Sequence, residues 1–348
     1  MRALTATPPT PMSAELVEVP EPGLDDGEIL CQTLAVGVDG TDNEIVEGKY
    51  GEAPPGRDRL VLGHESLGRV LEAPVEGGFA PGDLVVGVVR RPDPVPCENC
   101  AVGEWDMCRN GMYTERGIKG RDGFLSERFR IEPAFAVKVD PRLGRLAVLA
   151  EPASVVAKAW EHIERIGSRA RFAPRNALVT GAGPLGLLGA LLGVQRGLDV
   201  HLLDVVDRGP KPDLAAKLGA TYHVGSLDDA GMDFDVVIEC TGVGPLVFHA
   251  IEHLAPDGIM CLTGISPAGR SEKLNLDALN KEMVLNNNVV FGSVNAGLRH
   301  YEQAARALAA ADATWLDSLV TRWVPLDCWG EALERRPDDV KTVVEIAG

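Results

Sequence analysis

Ala177-Leu178-Val179-Thr180-Gly181-Ala182-Gly183-Pro184-Leu185-Gly186 is the stretch on which the fold turns. A short apolar run of strand type, 177–180, leads directly into a G-x-G-x-x-G pattern, and that pattern opens an apolar segment, 185–196, long enough for a helix. Each glycine has a separate task. Gly181 makes the tight turn, Gly183 lets the backbone approach a pyrophosphate, and Gly186 lets the helix pack closely on the sheet. Pro184 and Leu185 fall in the first helical turn, whose N-terminus faces the phosphates. A second strand-type run, 199–204, ends in Asp204, 18 residues beyond Gly186. An acid at that point accepts hydrogen bonds from the adenosine ribose and repels a 2′-phosphate. Val205 and Val206 follow it, so NAD is the preferred nucleotide, while Arg208 and Lys211 lie near enough to leave NADP use open.

Strand and helix signals continue to alternate downstream, with a helix at 214–218, a strand at 234–240, a helix at 246–254 and a strand at 259–262. This alternation predicts an α/β unit with a doubly wound parallel sheet. The first 150 residues read differently. Short β-rich runs at 28–36, 61–72, 83–89 and 124–131 are separated by Gly/Pro turns such as Pro81-Gly82-Asp83, which predicts a β-dominated domain. Glu151-Pro152 then opens a helix running to about 166, with proline where a first turn tolerates it.

The 348 residues leave room for two domains, and 45% hydrophobic with 24% charged residues is ordinary for a globular chain. A net charge of -17 argues against nucleic acid or an anionic membrane as partner, since either needs a basic face. The acidic excess fits a high-salt habitat or, equally, a cytoplasmic protein kept apart by self-repulsion. The N-terminus lacks the apolar core of a signal peptide, and no apolar run reaches the ~18 residues of a membrane span. Seven cysteines without an even framework point to a reducing, cytoplasmic setting. Cys31, Cys240, Cys261 and Cys328 fall in apolar runs and read as small core residues.

Three further pieces narrow the class: Val38-Asp39-Gly40-Thr41-Asp42, then Gly63-His64-Glu65 with His64 25 residues after Asp39, and Glu151-Pro152 at the change of pattern. Together with the glycine loop they resemble the medium-chain dehydrogenase/reductase superfamily, in which a GroES-like catalytic domain is joined to a Rossmann domain. Residues 36–42, 61–65, 89–92, 113–117, 120–124 and 291–295 resemble the archaeal-type glucose dehydrogenases within it, and the likeness covers essentially the whole chain. It implies a catalytic domain of residues 1–155 completed by 296–348, and an NAD(P)-binding domain of 156–295. It also implies a catalytic zinc held by Asp39, His64 and Glu65, with Glu151 near or on the metal. Most relatives carry cysteine where this chain has Asp39; carboxylate plus imidazole still suits zinc, though a harder site discriminates less against manganese. Taken singly, the same residues have plainer readings: Asp39 as a turn former, His64 as a structural histidine, Glu151 as a first-turn charge.

By the same resemblance, Thr41 hydrogen-bonds the reacting oxygen, while Glu115, Glu151 and Asn295 contact a sugar with Arg90 nearby. Thr263, Gly264, Ile265 and Val294 border the nicotinamide, and Thr241 and Gly242 lie at the cofactor edge. Glu115 read alone is a solvated loop acid, and Asn295 a strand-end cap. The implied reaction is hydride transfer from C1 of an aldose such as D-glucose to NAD(P), giving the 1,5-lactone, in a homodimer or homotetramer. Cys97, Cys100 and Cys108 resemble the structural-zinc lobe, but Gly103 and Gly111 stand where further cysteines are usual. The three thiols either share a zinc with a carboxylate, for which Asp93, Glu98 and Asp106 are local candidates, or stand free. Two other activities fit less of the pattern: a zinc-dependent polyol, alcohol or cyclitol dehydrogenase, and a non-catalytic nicotinamide-binding redox sensor.

Overall fold

The computed structural model describes residues 1–227, 230–266 and 273–347. It separates into two units, Met1–Ser154 with Asn295–Gly348, and Val155–Val294.

In the second unit, six parallel strands lie in the order Thr221–Val224, Asp199–Asp204, Asn176–Thr180, Phe234–Glu239, Leu254–Leu262 and Val289–Gly292. The chain thus starts in the middle of the sheet and winds outward twice, which is the doubly wound order of dinucleotide-binding sheets. The helix Pro184–Gln195 follows the glycine loop directly, and its residues from Gly186 to Gly193 are all buried. A helix apolar on every side belongs in a core, not on a surface. On the sheet, Leu178, Phe234, Val237, Ile251 and Met260 form one buried cluster. Two expectations need correction here. The helix expected at 246–254 is Gly244–Glu252, and Leu254 already belongs to the next strand, which runs to Leu262.

The first unit is built on a seven-stranded sheet with Ile29–Val38 at its centre. That strand pairs antiparallel with Glu65–Glu72, with Arg128–Ile131 and with Lys341–Glu345, so the C-terminal segment completes the sheet begun near the N-terminus. Ile29, Val36, Leu62, Val70, Phe124, Phe129, Val324 and Val344 share the core, with Phe124 and Phe129 edge to face at 4.8 Å between centroids.

The run 61–72 is not one strand. It divides into Leu60–Val61 and Glu65–Glu72 because Gly63 takes φ +85°, and a Cβ there would come within 2.8 Å of Val36. Similarly 124–131 is regular only over Arg128–Ile131, while Phe124 and Leu125 bond back to Gly63 and Leu62. The run 83–89 shortens to Leu84–Gly87, and the helix expected from Glu151 spans Ala150–Gly167, behind a 3-10 segment, Pro141–Leu149. Cys31 and Cys261 are core residues as expected, and Cys240 is half-buried; Cys328 is exposed at the end of a single 3-10 turn, Leu326–Cys328. No described helix is long and apolar enough to cross a membrane.

Candidate functional site

Asp39 directly follows the central strand of the first unit and caps the helix Gly40–Val46. Its Oδ1 accepts from the N–H groups of Thr41 at 2.7 Å and Asp42 at 3.3 Å, and the Asp42 carboxylate accepts from Asp39 N–H at 3.1 Å, a complete capping box. The other oxygen, Oδ2, lies 3.6 Å from His64 Nε2 and accepts from Thr41 Oγ1 at 3.4 Å. Both readings of Asp39 are therefore realised by one side chain: one oxygen forms the turn and the other turns to the imidazole.

His64 follows the strand break at Gly63 and is buried. Its Nδ1 stands 3.8 Å from Asp42 Oδ1, so a carboxylate backs the ring nitrogen that faces away from Asp39. Glu65 opens the next strand opposite Gly37, where any Cβ would lie 1.8 Å from Glu65 Oε2. Lys341, fully buried on the C-terminal strand, forms an ion pair with Glu65 and donates to Val38 O at 3.0 Å. Ligand atoms of Asp39, His64 and Glu65 all lie within 4.8 Å of one another.

The electrostatics follow from that crowding. Burial works to raise Asp39, but the charge and hydrogen bond of His64, with Lys341 and the Thr41 N–H, outweigh it and hold the carboxyl far below its usual range. Burial works against the His64 charge, and Asp39 and Asp42 reverse this and raise the imidazole well above its ordinary value. Glu65 is raised by burial and by Asp39 against the pull of Lys341 and His64. Glu151, in the first turn of its helix, is pushed up to about 8 by burial; His64 opposes the shift, while Glu65 and Asp39 add to it. One imidazole and several carboxylates converging beside the Lys341 ammonium are a donor set that fits zinc.

A second constellation in the first unit joins the expected sugar contacts. Arg90 donates through Nε at 3.0 Å and Nη2 at 2.9 Å to Glu115 Oε1, and Asn295 Nδ2 donates to the same oxygen at 2.9 Å. Glu115 is thus no solvated loop acid; it is buried. Asn295 takes φ +60° and its Oδ1 accepts from Ala296 N–H; the preceding strand ends at Gly292 and the next helix is capped by Gly297, so Asn295 caps neither. The Arg90 guanidinium lies 3.8 Å over the Tyr113 ring.

In the second unit the glycine loop lies at the C-terminal end of Asn176–Thr180. Gly181 has φ +86°, and a Cβ on Gly186 would lie 1.7 Å from Gly181 O. Asp204 accepts from Ala182 N–H at 2.7 Å, from Val206 N–H at 3.0 Å and from Lys211 Nζ at 3.0 Å. Burial opposes the charge on Asp204, but these donors hold its pKa below the usual value. Thr241, Gly242, Thr263 and Gly264 gather around Glu239, a fully buried acid at the end of Phe234–Glu239. Ile265 and Val294 are exposed, and Val294 O accepts from Lys158 Nζ at 3.0 Å.

The sulfurs of Cys97, Cys100 and Cys108 also converge within 4.8 Å. N–H groups of Arg109, Cys100 and Asn99 bring the Cys97 thiol down to about 6, while burial pushes Cys100 up to about 11. Of the three carboxylates considered for this lobe, Glu98 is exposed and 3.7 Å from Arg109, Asp106 lies against Gly297, and Asp93 is buried with Oδ1 on Val95 N–H. A cavity of about 370 Å³ elsewhere in the first unit, lined by Arg57, Arg59, Arg116, Arg128 and Arg130, contains none of the candidate site residues.

Asp42, Lys341 and Glu239 were not identified from the sequence as site residues. Asp42 carried a signal, since an acid three residues after a capping aspartate is a capping box. Glu239 is an acid closing an otherwise apolar strand. Lys341 carried none.

The alcohol dehydrogenase GroES-like domain model matches residues 25–141, and the glucose dehydrogenase C-terminus model matches 144–346. The chain belongs to the glucose dehydrogenase family. It is 41% identical over 355 residues to glucose 1-dehydrogenase 1 of Caldivirga maquilingensis and 38% identical over 357 residues to glucose 1-dehydrogenase of Methanocella arvoryzae, covering 99% of both chains in each case. Among solved structures, Haloferax mediterranei glucose dehydrogenase in complex with NADP, Zn and gluconolactone superposes with a TM-score of 0.92 at 34% identity, covering 100% of each chain. The fold of this family, a GroES-like domain with a Rossmann-type sheet, is the one anticipated from the sequence.

Proposed function

We propose that this chain oxidises D-glucose, or a close aldose, at C1 to the 1,5-lactone, with hydride passing to NAD(P) and zinc held by Asp39, His64 and Glu65 beside Glu151. The observation that carries this is the convergence of the Asp39, His64 and Glu65 ligand atoms in the first unit, together with Glu115 held by both Arg90 and Asn295. A bound zinc supplies a Lewis-acid field at the sugar oxygen.

In the reaction the C1–H bond breaks with its electron pair, which forms the new C–H bond on the nicotinamide. The O–H bond breaks as the C1=O bond forms, and one proton is released. Thr41 is the residue for that proton: its hydroxyl takes the hydrogen bond of the reacting oxygen and hands its own proton outward. Glu115 and Asn295 provide the fixed polar partners by which hydroxylated isomers are told apart, because a site built to pair a hydroxyl rejects an analogue lacking it. Asp204 ends its strand with uncharged Val205 and Val206 behind it, which supports NAD over NADP for this chain, although the Haloferax relative is described with NADP. Cys97, Cys100 and Cys108 would supply three of the four ligands that a structural zinc takes. Val289–Gly292, at the edge of its sheet, supports a homo-oligomer formed by sheet extension.

The test is nucleotide reduction with NAD and NADP across aldoses, polyols and simple alcohols, for the wild type, Asp39→Ala and His64→Ala. Fast NAD reduction with glucose or an epimer, lost in both variants, supports the proposal. Turnover restricted to a polyol, cyclitol or simple alcohol overturns the aldose assignment, and a metal-free, inactive protein that binds nucleotide moves the reading to a sensor.

A further inference from the structure

Glu239 lies at the C-terminal end of the central strand Phe234–Glu239 and is fully buried. Its Oε1 accepts from Thr180 Oγ1 at 3.2 Å, from Thr241 N–H at 2.7 Å, from Gly242 N–H at 3.1 Å and from the Thr241 hydroxyl. Its Oε2 takes a further contact from Gly242 N–H at 3.1 Å. The main-chain carbonyl of the same residue accepts from Thr263 N–H at 2.8 Å, Gly264 N–H at 3.0 Å and Thr263 Oγ1 at 2.7 Å. One residue therefore ties together the ends of three neighbouring parallel strands, Asn176–Thr180, Phe234–Glu239 and Leu254–Leu262. In open parallel sheets this edge is where ligands bind.

The two loops that leave it are locked to each other as well. Gly242, at φ +64°, would place a Cβ 2.4 Å from Ile265 O, and Gly264 would place one 2.2 Å from Gly242 N and 2.8 Å from Glu239 Oε2. Two glycines are thus required by the way the loops cross over the carboxylate. The N–H groups of Thr241 and Gly242 point inward at Glu239, so this loop does not offer them to a phosphate. The glycine loop, on the neighbouring strand, is the phosphate cradle; the loops around Glu239 suit a portion of the nucleotide other than its phosphates.

We propose that Glu239 is the positioning residue that sets the shape of the nicotinamide end of the nucleotide cradle, by holding Thr241, Gly242, Thr263 and Gly264 in one arrangement. This rests on the nucleotide reading above. Its role is separable from that of Asp204 and the glycine loop, which serve the adenosine and pyrophosphate end.

The experiment measures NADH and AMP binding by titration, with the thermal midpoint, for the wild type, Glu239→Gln and Thr180→Val, all at a temperature well below unfolding. Gln keeps an acceptor for the Oε1 donors but sets an amide N–H₂ against Gly242; Val removes one donor with little change of shape. The expected result is NADH affinity weakened about tenfold in Glu239→Gln (about 1.4 kcal/mol) and about threefold in Thr180→Val, with AMP affinity changed less than twofold in both. Should Glu239→Gln fail to fold, Thr180→Val alone carries the comparison. Unchanged affinities with a lowered thermal midpoint would mean a purely structural role, and equal losses for NADH and AMP would mean no separate nicotinamide end; either overturns the proposal. A folded wild type that binds neither ligand overturns the nucleotide reading itself, and this inference with it.

Discussion

Replacing Lys341 by methionine tests the charge arithmetic of the metal pocket. The ammonium is 1% exposed, donates to Val38 O at 3.0 Å and is paired with Glu65, itself 2% exposed. Methionine fills most of the same volume but leaves Glu65 buried without its cation, in a pocket already holding Asp39 and Glu151. Breaking a buried pair from one side costs about 3–5 kcal/mol, since the remaining charge is left uncompensated. The unit that contains the pair is Met1–Ser154 with Asn295–Gly348, 154 plus 54 residues. For a unit of that size each kcal/mol moves the midpoint by roughly 2–4 °C, so the metal-free variant should unfold about 10 °C earlier than the wild type. Zinc should reverse much of this loss, because a cation bound between Asp39, His64 and Glu65 restores the charge that the substitution removed. The assay is thermal unfolding with excess chelator and then with added zinc. A metal-free midpoint within about 2 °C of wild type would refute the buried-pair argument. An equal zinc-induced rise in both proteins would refute the placement of the cation beside Lys341.

Asp39→Asn keeps a good helix cap and loses the anionic ligand, whereas Asp39→Ala loses both. Metal content should therefore collapse in both, while only the alanine variant loses about 1 kcal/mol more in the metal-free state; equal metal-free stabilities would show that the cap is idle. Glu132 gives a pH prediction. It accepts from Arg91 at 2.8 Å and from Arg121 at 2.6 Å, and these arginines overcome the effect of burial and hold its carboxyl down to about 2. A depressed carboxyl stabilises fully above its ordinary 4.5 and loses that contribution as pH falls towards about 2. The gap corresponds to roughly 3 kcal/mol, less after solvent screening, since the side chain is 27% exposed. Urea unfolding at about pH 6 and pH 3 should show wild type losing roughly 1–2 kcal/mol more than Glu132→Gln; the same loss in both would sink the assignment.

The nucleotide unit was legible because its decisive pattern is local. A strand, a glycine turn, a helix and an acid lie within residues 177–204, and each obeys rules that act over a few residues. The first unit is assembled from distant pairings, and there the sequence was read less well. The strand break at Gly63 depends on Val36 and Leu125 crowding that glycine, neither of which is adjacent to it in the chain. Lys341 reaches Val38 across 303 residues because Lys341–Glu345 pairs with the central strand. Nothing in the local hydropathy of that strand announces a charge turned inward. Cys328 fails for the opposite reason: an apolar neighbourhood in sequence became an exposed turn between two short elements. Glu239 falls between these cases, since its strand was found but the convergence of two loops upon it is a property of the sheet edge.

The aspartate at position 39 follows from the same geometry. A thiolate there has a single acceptor atom, which the helix cap and the metal would have to share. A carboxylate has two oxygens, and here they diverge: Oδ1 receives the Thr41 and Asp42 N–H groups, and Oδ2 faces His64. Asp42, fixed by the reciprocal half of the capping box, then turns its other oxygen to the far side of His64. The cap thus places the Asp42 carboxylate beside the imidazole and orients one anionic ligand through Asp39. Local helix-start chemistry, which acts on any chain, has been made part of the metal pocket. Because the two acids share one capping box, a substitution that spares the metal charge but breaks the cap should still misalign His64. Asp42→Ala is therefore expected to lower metal affinity although Asp42 is not itself a ligand, by the 10- to 100-fold typical of lost outer partners. Zinc titration of that variant, at unchanged Asp39 and Glu65, measures it directly; an affinity within about twofold of wild type would mean that the capping box and the metal pocket are neighbours without being coupled.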